Sequence, residues 1–196
     1  MLKQKFLEFG YTEEEYNLIR NSHGISTYTD TTLTKQFINI TSYLLDLGYT
    51  KAEVLKMTKS LPALYSLSIE NMKQKISDII DLGYTREEVI KMTISLPAIY
   101  GYSIENIIEK IEFYDSINMH KLAVVAPKQL MQSVALSYAR YNFYLSVGIE
   151  INMVNYKKLF IDNKQFEKSY GKTKQEILEE YNYEKYMEKK KNGRTL

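Results

Sequence analysis

Apolar residues in this chain recur at helical spacing. Val54, Met57, Thr58 and Leu61 stand at i, i+3, i+4 and i+7, and Val89, Met92, Thr93 and Leu96 repeat the set 35 residues later. That period predicts helices with one buried face. Ile69, Met72, Ile76 and Ile79 predict a further helix, as do Ile104, Ile107, Ile111 and Tyr114, and a third runs from Leu33 through Phe37 and Ile40 to Leu44. Residues 130–147 contain neither Pro nor Gly and predict the longest helix, ended by Gly148, while residues 20–32 form the most loop-like stretch. The β-branched residues sit at helical spacing, so no strand is predicted.

Residues 46–76 align without a gap on residues 81–111, matching at 21 of 31 positions. A period of 35 suits a pair of helices with turns, the unit of an α-solenoid. Gly48 and Gly83 follow apolar runs, where a left-handed residue can close a helix. Thr50 to Glu53 and Thr85 to Glu88 each read as a capping box, in which the threonine hydroxyl and the glutamate satisfy orphaned backbone donors. Tyr49 and Val54, like Tyr84 and Val89, have the spacing of a hydrophobic staple. Pro62 and Pro97 stop the capped helix and open a short new turn, after which Ser68 and Ser103 are expected to cap the next helix.

Weaker copies flank these two. Gly10, Tyr11, Thr12 and Glu15 keep the glycine, tyrosine and box; Asn118 stands 35 residues past Gly83; Pro127 follows Pro97 by only 30; and Gly171, Thr173 and Glu176 restore the box near the C-terminus. The expected fold class is all-α: a solenoid, or superhelix, of helix-turn-helix repeats with short proline-led 3-10 turns. One repeat domain is expected over 1–196, with a degenerate unit at 1–39, two clear repeats at 40–117, a degenerate repeat at 118–150 and a helical cap with a basic tail at 151–196.

These repeats resemble those of the mitochondrial transcription termination factor (mTERF) family. The resemblance is carried by Leu47-Gly48 to Val54 and Leu82-Gly83 to Val89, and by apolar residues at heptad steps after each proline, Tyr65, Met72 and Ile79 and then Tyr100, Ile107 and Tyr114. It implies repeats of two helices and a 3-10 turn forming a half-doughnut superhelix that binds double-stranded nucleic acid through phosphates. This chain has fewer repeats, a near-neutral repeat region and no transit peptide, which with its Lys, Asn, Ile and Tyr content points to a bacterial or phage-encoded relative.

Composition narrows the chemistry. With no Cys, a thiolate metal site, a disulfide or a Cys nucleophile is excluded. His23 and His120 stand apart from any nucleophile or ligand pattern, and Glu13-Glu14-Glu15 and Glu179-Glu180 point apart on a helix. No phosphate loop, dinucleotide fingerprint or HExxH is present. The expectation is a protein that is not an enzyme and carries no cofactor or metal. No apolar run has the ~18–20 residues of a membrane span, and no targeting peptide is recognisable, so a cytoplasmic, membrane-free protein is expected.

Net charge is +2, distributed as −1 over 1–39, −1 over 40–111 and +4 over 112–196. Lys51, Lys56 and Lys59 fall on the polar side of one capped helix and Arg86 and Lys91 on the next, with Lys56 and Lys91 repeat-equivalent, the arrangement a ladder of phosphate contacts needs. Lys121, Lys128, Arg140, Lys157, Lys158, Lys164 and Lys168 make the later half more basic, and Tyr138, Tyr141 and Tyr144 flank Arg140. The candidate DNA- or RNA-contacting residues are Lys56, Lys59, Lys91, Lys128, Arg140, Lys157 and Lys158, in a protein that regulates transcription. The alternative is a protein-binding solenoid, an inhibitor, immunity protein or adaptor, because eighteen tyrosines suit a protein interface. The run Lys189-Lys190-Lys191 with Arg194 reads as a solvated tail.

Overall fold

The elements follow the punctuation in the sequence. The computed structural model describes residues 2–193; the side chains of Lys189, Lys190 and Lys191, together with Arg194, lie outside the described residues. Helices and turns account for all regular structure among the described residues. Two compact units divide the chain, Met1–Asn106 and Ile107–Leu196.

The first unit contains α1 (Leu2–Glu8), α2 (Glu13–Arg20), α3 (Asp30–Asp46), α4 (Lys51–Ser60), a 3-10 turn at Pro62–Ser66, α5 (Ile69–Asp81), α6 (Arg86–Ser95), a second 3-10 turn at Pro97–Gly101 and the start of α7 (Ile104–Ser116). Capping boxes open α2, α4 and α6: Thr12, Thr50 and Thr85 each accept a backbone N–H from the third helical residue, whose glutamate accepts the threonine's own N–H. Before α4 the chain turns through Gly48 at φ +102°, a region closed to residues with a Cβ, although the space beside it is empty. Leu61 and Leu96, kept out of the helical region by the prolines that follow, end α4 and α6 and let the 3-10 turns begin. Leu64 with Tyr65, and Ile99 with Tyr100, anchor these turns in the interior. Because α4 packs on α6 and the two 3-10 turns also meet, the first unit is a stack of repeats.

Its core is one cluster running from Phe6 through Ile19, Ile40, Leu44 and Met57 to Tyr65 and Tyr100. The proposed staple tyrosines do more than cover a helix end. Tyr11 Oη lies 2.5 Å from Thr58 Oγ1 and 2.7 Å from Tyr65 Oη, and Tyr49 Oη repeats this with Thr93 at 2.5 Å and Tyr100 at 2.8 Å. Each tyrosine thereby ties its own repeat to the next. The loop expected over 20–32 is shorter, 21–29, and is ordered by Arg20 at the end of α2, whose guanidinium donates to the carbonyls of Ile25, Ser26 and Tyr28.

The second unit continues α7 and adds α8 (Leu122–Val125), a 3-10 turn at Pro127–Met131, α9 (Val134–Ser146), a 3-10 turn at Tyr156–Phe160, α10 (Asn163–Tyr170), α11 (Lys174–Glu180) and α12 (Tyr183–Gly193). Asn118 closes α7 at φ +56°, as its spacing predicts. The unit is five residues shorter before Pro127 because α8 is six residues shorter than α4 and α6, four against ten, while the chain from Asn118 to the helix start is one longer. Residues 130–147 are not one helix. Leu130 and Met131 complete the 3-10 turn, Ser133 caps α9, and the longest helix is the seventeen-residue α3. Ser133 stands six residues after Pro127, as Ser68 does after Pro62 and Ser103 after Pro97, and a serine able to cap outweighs the absence of a helix breaker. The same grammar recurs without proline at Tyr156–Phe160, six residues before the cap Asp162.

Candidate nucleic-acid interface

The buried faces of α4 and α6 dictate which side chains reach solvent. With Val54, Met57 and Thr58 inside on one and Val89, Met92 and Thr93 inside on the other, the residues between them, Lys56 and Lys91, are exposed. Neither takes part in an ion pair or hydrogen bond among the described residues. Lys51 and Arg86, each the first residue after its cap, are a second repeat-equivalent basic pair and are also exposed. The packed neighbours α4 and α6 thus carry two basic positions each at the same places in the repeat.

The other positions differ in what already occupies them. Lys59 Nζ lies 2.9 Å from Glu15 Oε1, so its charge is shared with the capping box of α2. The Thr12 N–H and Lys59 together hold the Glu15 carboxyl below the usual carboxylate range. Lys51 Nζ sits 5.3 Å from the centre of the Phe9 ring, its stem lying beside Gly10. Glu13, Glu14 and Glu15 make the first turn of α2 acidic, so the repeat-equivalent basic positions of the first unit begin at α4.

In the second unit the three candidate lysines, Lys128, Lys157 and Lys158, lie on the 3-10 turns. Lys128 is the second residue of one turn and Lys157 the second of the other, and both are exposed. The corresponding residues of the two earlier turns are Ala63 and Ala98. Leu130 and Leu159 fill the buried fourth place that Tyr65 and Tyr100 fill in the first unit. Lys158 is half-buried, and its carbonyl accepts a hydrogen bond from Tyr144 Oη at 3.1 Å. Lys56, Lys59 and Lys91 lie in the first unit and Lys128, Lys157 and Lys158 in the second.

Arg140 departs from the sequence expectation. It is 2% exposed, and its Nη1 donates to the carbonyls of Leu159 at 2.9 Å and Ile161 at 2.6 Å, its Nη2 to Asn163 Oδ1 at 2.8 Å. The guanidinium lies 5.0 Å from the Phe166 ring centre, and burial lowers its pKa. Its Nη donors are engaged inside the protein and its Nε is buried, so it is removed from the set of direct phosphate contacts. The flanking tyrosines are packed as well: Tyr144 is buried against Phe143, Phe166 and Tyr170, and Tyr138 stacks on Tyr186.

One juxtaposition has no counterpart in the sequence pattern. His120 Nδ1 lies 2.6 Å from Asp115 Oδ1, a pair that the sequence reading, which sets this histidine apart from any nucleophile or ligand pattern, does not include. A His and an Asp five residues apart meet because Asn118 turns the chain back after α7. The adjacent Ser116 hydroxyl donates to the Phe113 carbonyl, as helix-end serines do. Among the described residues no group of three or more His, Cys, Asp or Glu could hold a metal ion, and no helix is long and apolar enough to cross a membrane.

Comparison with known proteins agrees with this architecture. The mTERF family profile matches residues 27–166, well over half of the chain, whereas a search of curated proteins gives no match. The matched span runs from the loop before α3 into α10 and contains all three proline-led turns. With its capped helices, proline-led 3-10 turns and repeat stacking, the chain belongs to the mTERF family.

Proposed function

We propose that this protein binds nucleic acid without catalysing a reaction on it, contacting phosphates from lysines held at repeat-equivalent positions, and that it acts by occupying its target, as a regulator of transcription does. The observation that carries this reading is the placement of Lys56 and Lys91, exposed and unpaired among the described residues, on the packed neighbours α4 and α6. Successive repeats that hold an exposed ammonium at one register suit a polyanion with regularly spaced charges. Family membership supports the same reading. Lys128, Lys157 and Lys158 extend the set in the second unit, with Lys59 contributing less because Glu15 partly neutralises it.

Titrating short fluorescein-labelled DNA and RNA, single- and double-stranded, with the protein at several salt concentrations tests this. Binding whose log K falls linearly with log salt supports it, each neutralised duplex phosphate adding ~0.9 to the slope. Absence of binding at low salt refutes it.

One observation favours the second reading, a protein partner. An open groove of about 1060 Å³ runs between α1 and α3, lined by Leu2, Lys5, Asp30, Thr34 and Ile38 among others. The tyrosine content supports that reading less than the sequence suggests, because Tyr11, Tyr49, Tyr65, Tyr84, Tyr100, Tyr114, Tyr144 and Tyr183 are buried.

A further inference from the structure

The four 3-10 turns among the described residues are built alike but not held alike. Three begin with proline, which fixes φ and stiffens the turn from within. The fourth, Tyr156–Phe160, has no proline and carries two lysines, the most charge of any of them. Its backbone is fixed from outside instead. Tyr144 Oη donates to the Lys158 carbonyl, and Arg140 donates to the carbonyls of Leu159 and Ile161 and to Asn163 Oδ1. Both side chains come from α9, one helical turn apart, and both are buried. Burying a guanidinium for this purpose costs desolvation that an apolar residue would not incur. What that cost secures is the position of the lysine-bearing backbone.

We infer that Arg140 and Tyr144 are positioning residues for a phosphodiester contact made by Lys157 and Lys158. The inference rests on the nucleic-acid reading above and names the turn that serves it. A lysine pair on a loose loop must be ordered on binding, at a cost to affinity; a pair on a pinned turn has that ordering built in. Lys157 is exposed, and Lys158 is held with its backbone inward and its side chain half out. The nearest acidic residue in sequence, Asp162, is engaged as the cap of α10, where it accepts the Lys164 N–H at 2.9 Å. Arg140 therefore acts on the ligand through the turn, not by touching it.

A double-mutant cycle separates positioning from general structural support. Affinity for a short labelled DNA duplex, and for the same duplex in RNA, is measured for the wild type, Tyr144→Phe, Lys157→Gln/Lys158→Gln and the triple variant, each first shown to be folded by its thermal transition. Tyr144→Phe removes one hydroxyl and no charge, avoiding the unfolding risk of an Arg140 variant. The double lysine variant is expected to lower the log–log salt slope by ~1.8 on a duplex. Tyr144→Phe is expected to weaken binding by about threefold with the slope unchanged, and to have no effect once the lysines are gone, which is the coupling expected of groups that act together. Equal weakening by Tyr144→Phe in both backgrounds overturns the positioning role. An unchanged slope in the lysine variant, with the wild type binding, overturns the contact while leaving the broader reading to Lys56 and Lys91. Failure of the wild type to bind overturns both.

Discussion

Tyr49 Oη lies 2.5 Å from Thr93 Oγ1, a residue 44 positions away in the following repeat, and this pair fixes the direction of a buried chain of hydrogen bonds. The Thr93 hydroxyl donates to the Val89 carbonyl at 2.9 Å, so it accepts the Tyr49 proton; Tyr49 in turn accepts from Tyr100. Tyr65, Tyr11 and Thr58 form the same sequence of donors one repeat earlier, ending on the Val54 carbonyl. At the next step Ala123 and Leu130 stand where Thr93 and Tyr100 would be, four before and three after the proline, so the ladder of hydroxyls ends with the second copy.

The direction of the chain predicts unequal costs. Tyr49→Phe strands the Tyr100 O–H as a buried donor and is expected to cost ~2 kcal/mol, whereas Tyr100→Phe removes only the terminal donor and costs ~1 kcal/mol. The double variant costs less than the sum, because it leaves no stranded proton. Urea denaturation of the three variants measures this.

Alkaline pH acts on the same tyrosines. Burial raises the pKa of Tyr11, Tyr49, Tyr65 and Tyr100, and pushes Tyr43 up to about 12, above the ordinary 10.0. Below pH 10 both folded and unfolded states hold these protons and stability does not depend on them. Above it the unfolded chain loses protons that the native state retains, so stability falls as pH rises. The expected result is a urea midpoint that declines beyond pH 10 and declines less in the double Tyr49→Phe/Tyr100→Phe variant.

Gly48→Ala is expected to destabilise by ~1–2 kcal/mol through backbone strain alone, since a Cβ there meets nothing within 4 Å. Asn118→Gly relaxes the same left-handed requirement at φ +56° and is expected to be neutral or slightly stabilising. Thermal midpoints of both variants check the pair.

Arg140→Ala removes the donors to the Leu159 and Ile161 carbonyls and opens a gap beside Phe166, and it is expected to cost at least ~3 kcal/mol. A change of less than ~1 kcal/mol in chemical denaturation contradicts the structural role assigned to it.

The elements legible in the sequence are those set by local chemistry. Capping boxes, Gly48, Asn118, the prolines and the serine caps each act within about six residues, so their spacing carries their role. The Tyr11 and Tyr49 ladders join residues more than forty positions apart, and only half of their role, the staple, shows in a local pattern. Arg140 was unreadable for the same reason: carbonyls 19 and 21 residues on decide its burial, while its sequence neighbours suggest an exposed basic and aromatic patch. Lys59 resembles Lys56 until Glu15, from another helix, is brought to it. The fourth 3-10 turn lacks the proline that announces the others, and only the cap spacing to Asp162 betrays it.

The measurement closest to the central claim compares the salt dependence of duplex binding for the wild type, Lys56→Gln/Lys91→Gln and the control Lys35→Gln, an exposed lysine on α3 outside the ladder. If the two repeat-equivalent lysines contact phosphates, the double variant loses ~1.8 from the log–log slope and weakens at every salt concentration, while the control matches the wild type. A wild type that binds with the same slope and affinity as the double variant contradicts the ladder, and a wild type that does not bind contradicts the proposed function itself.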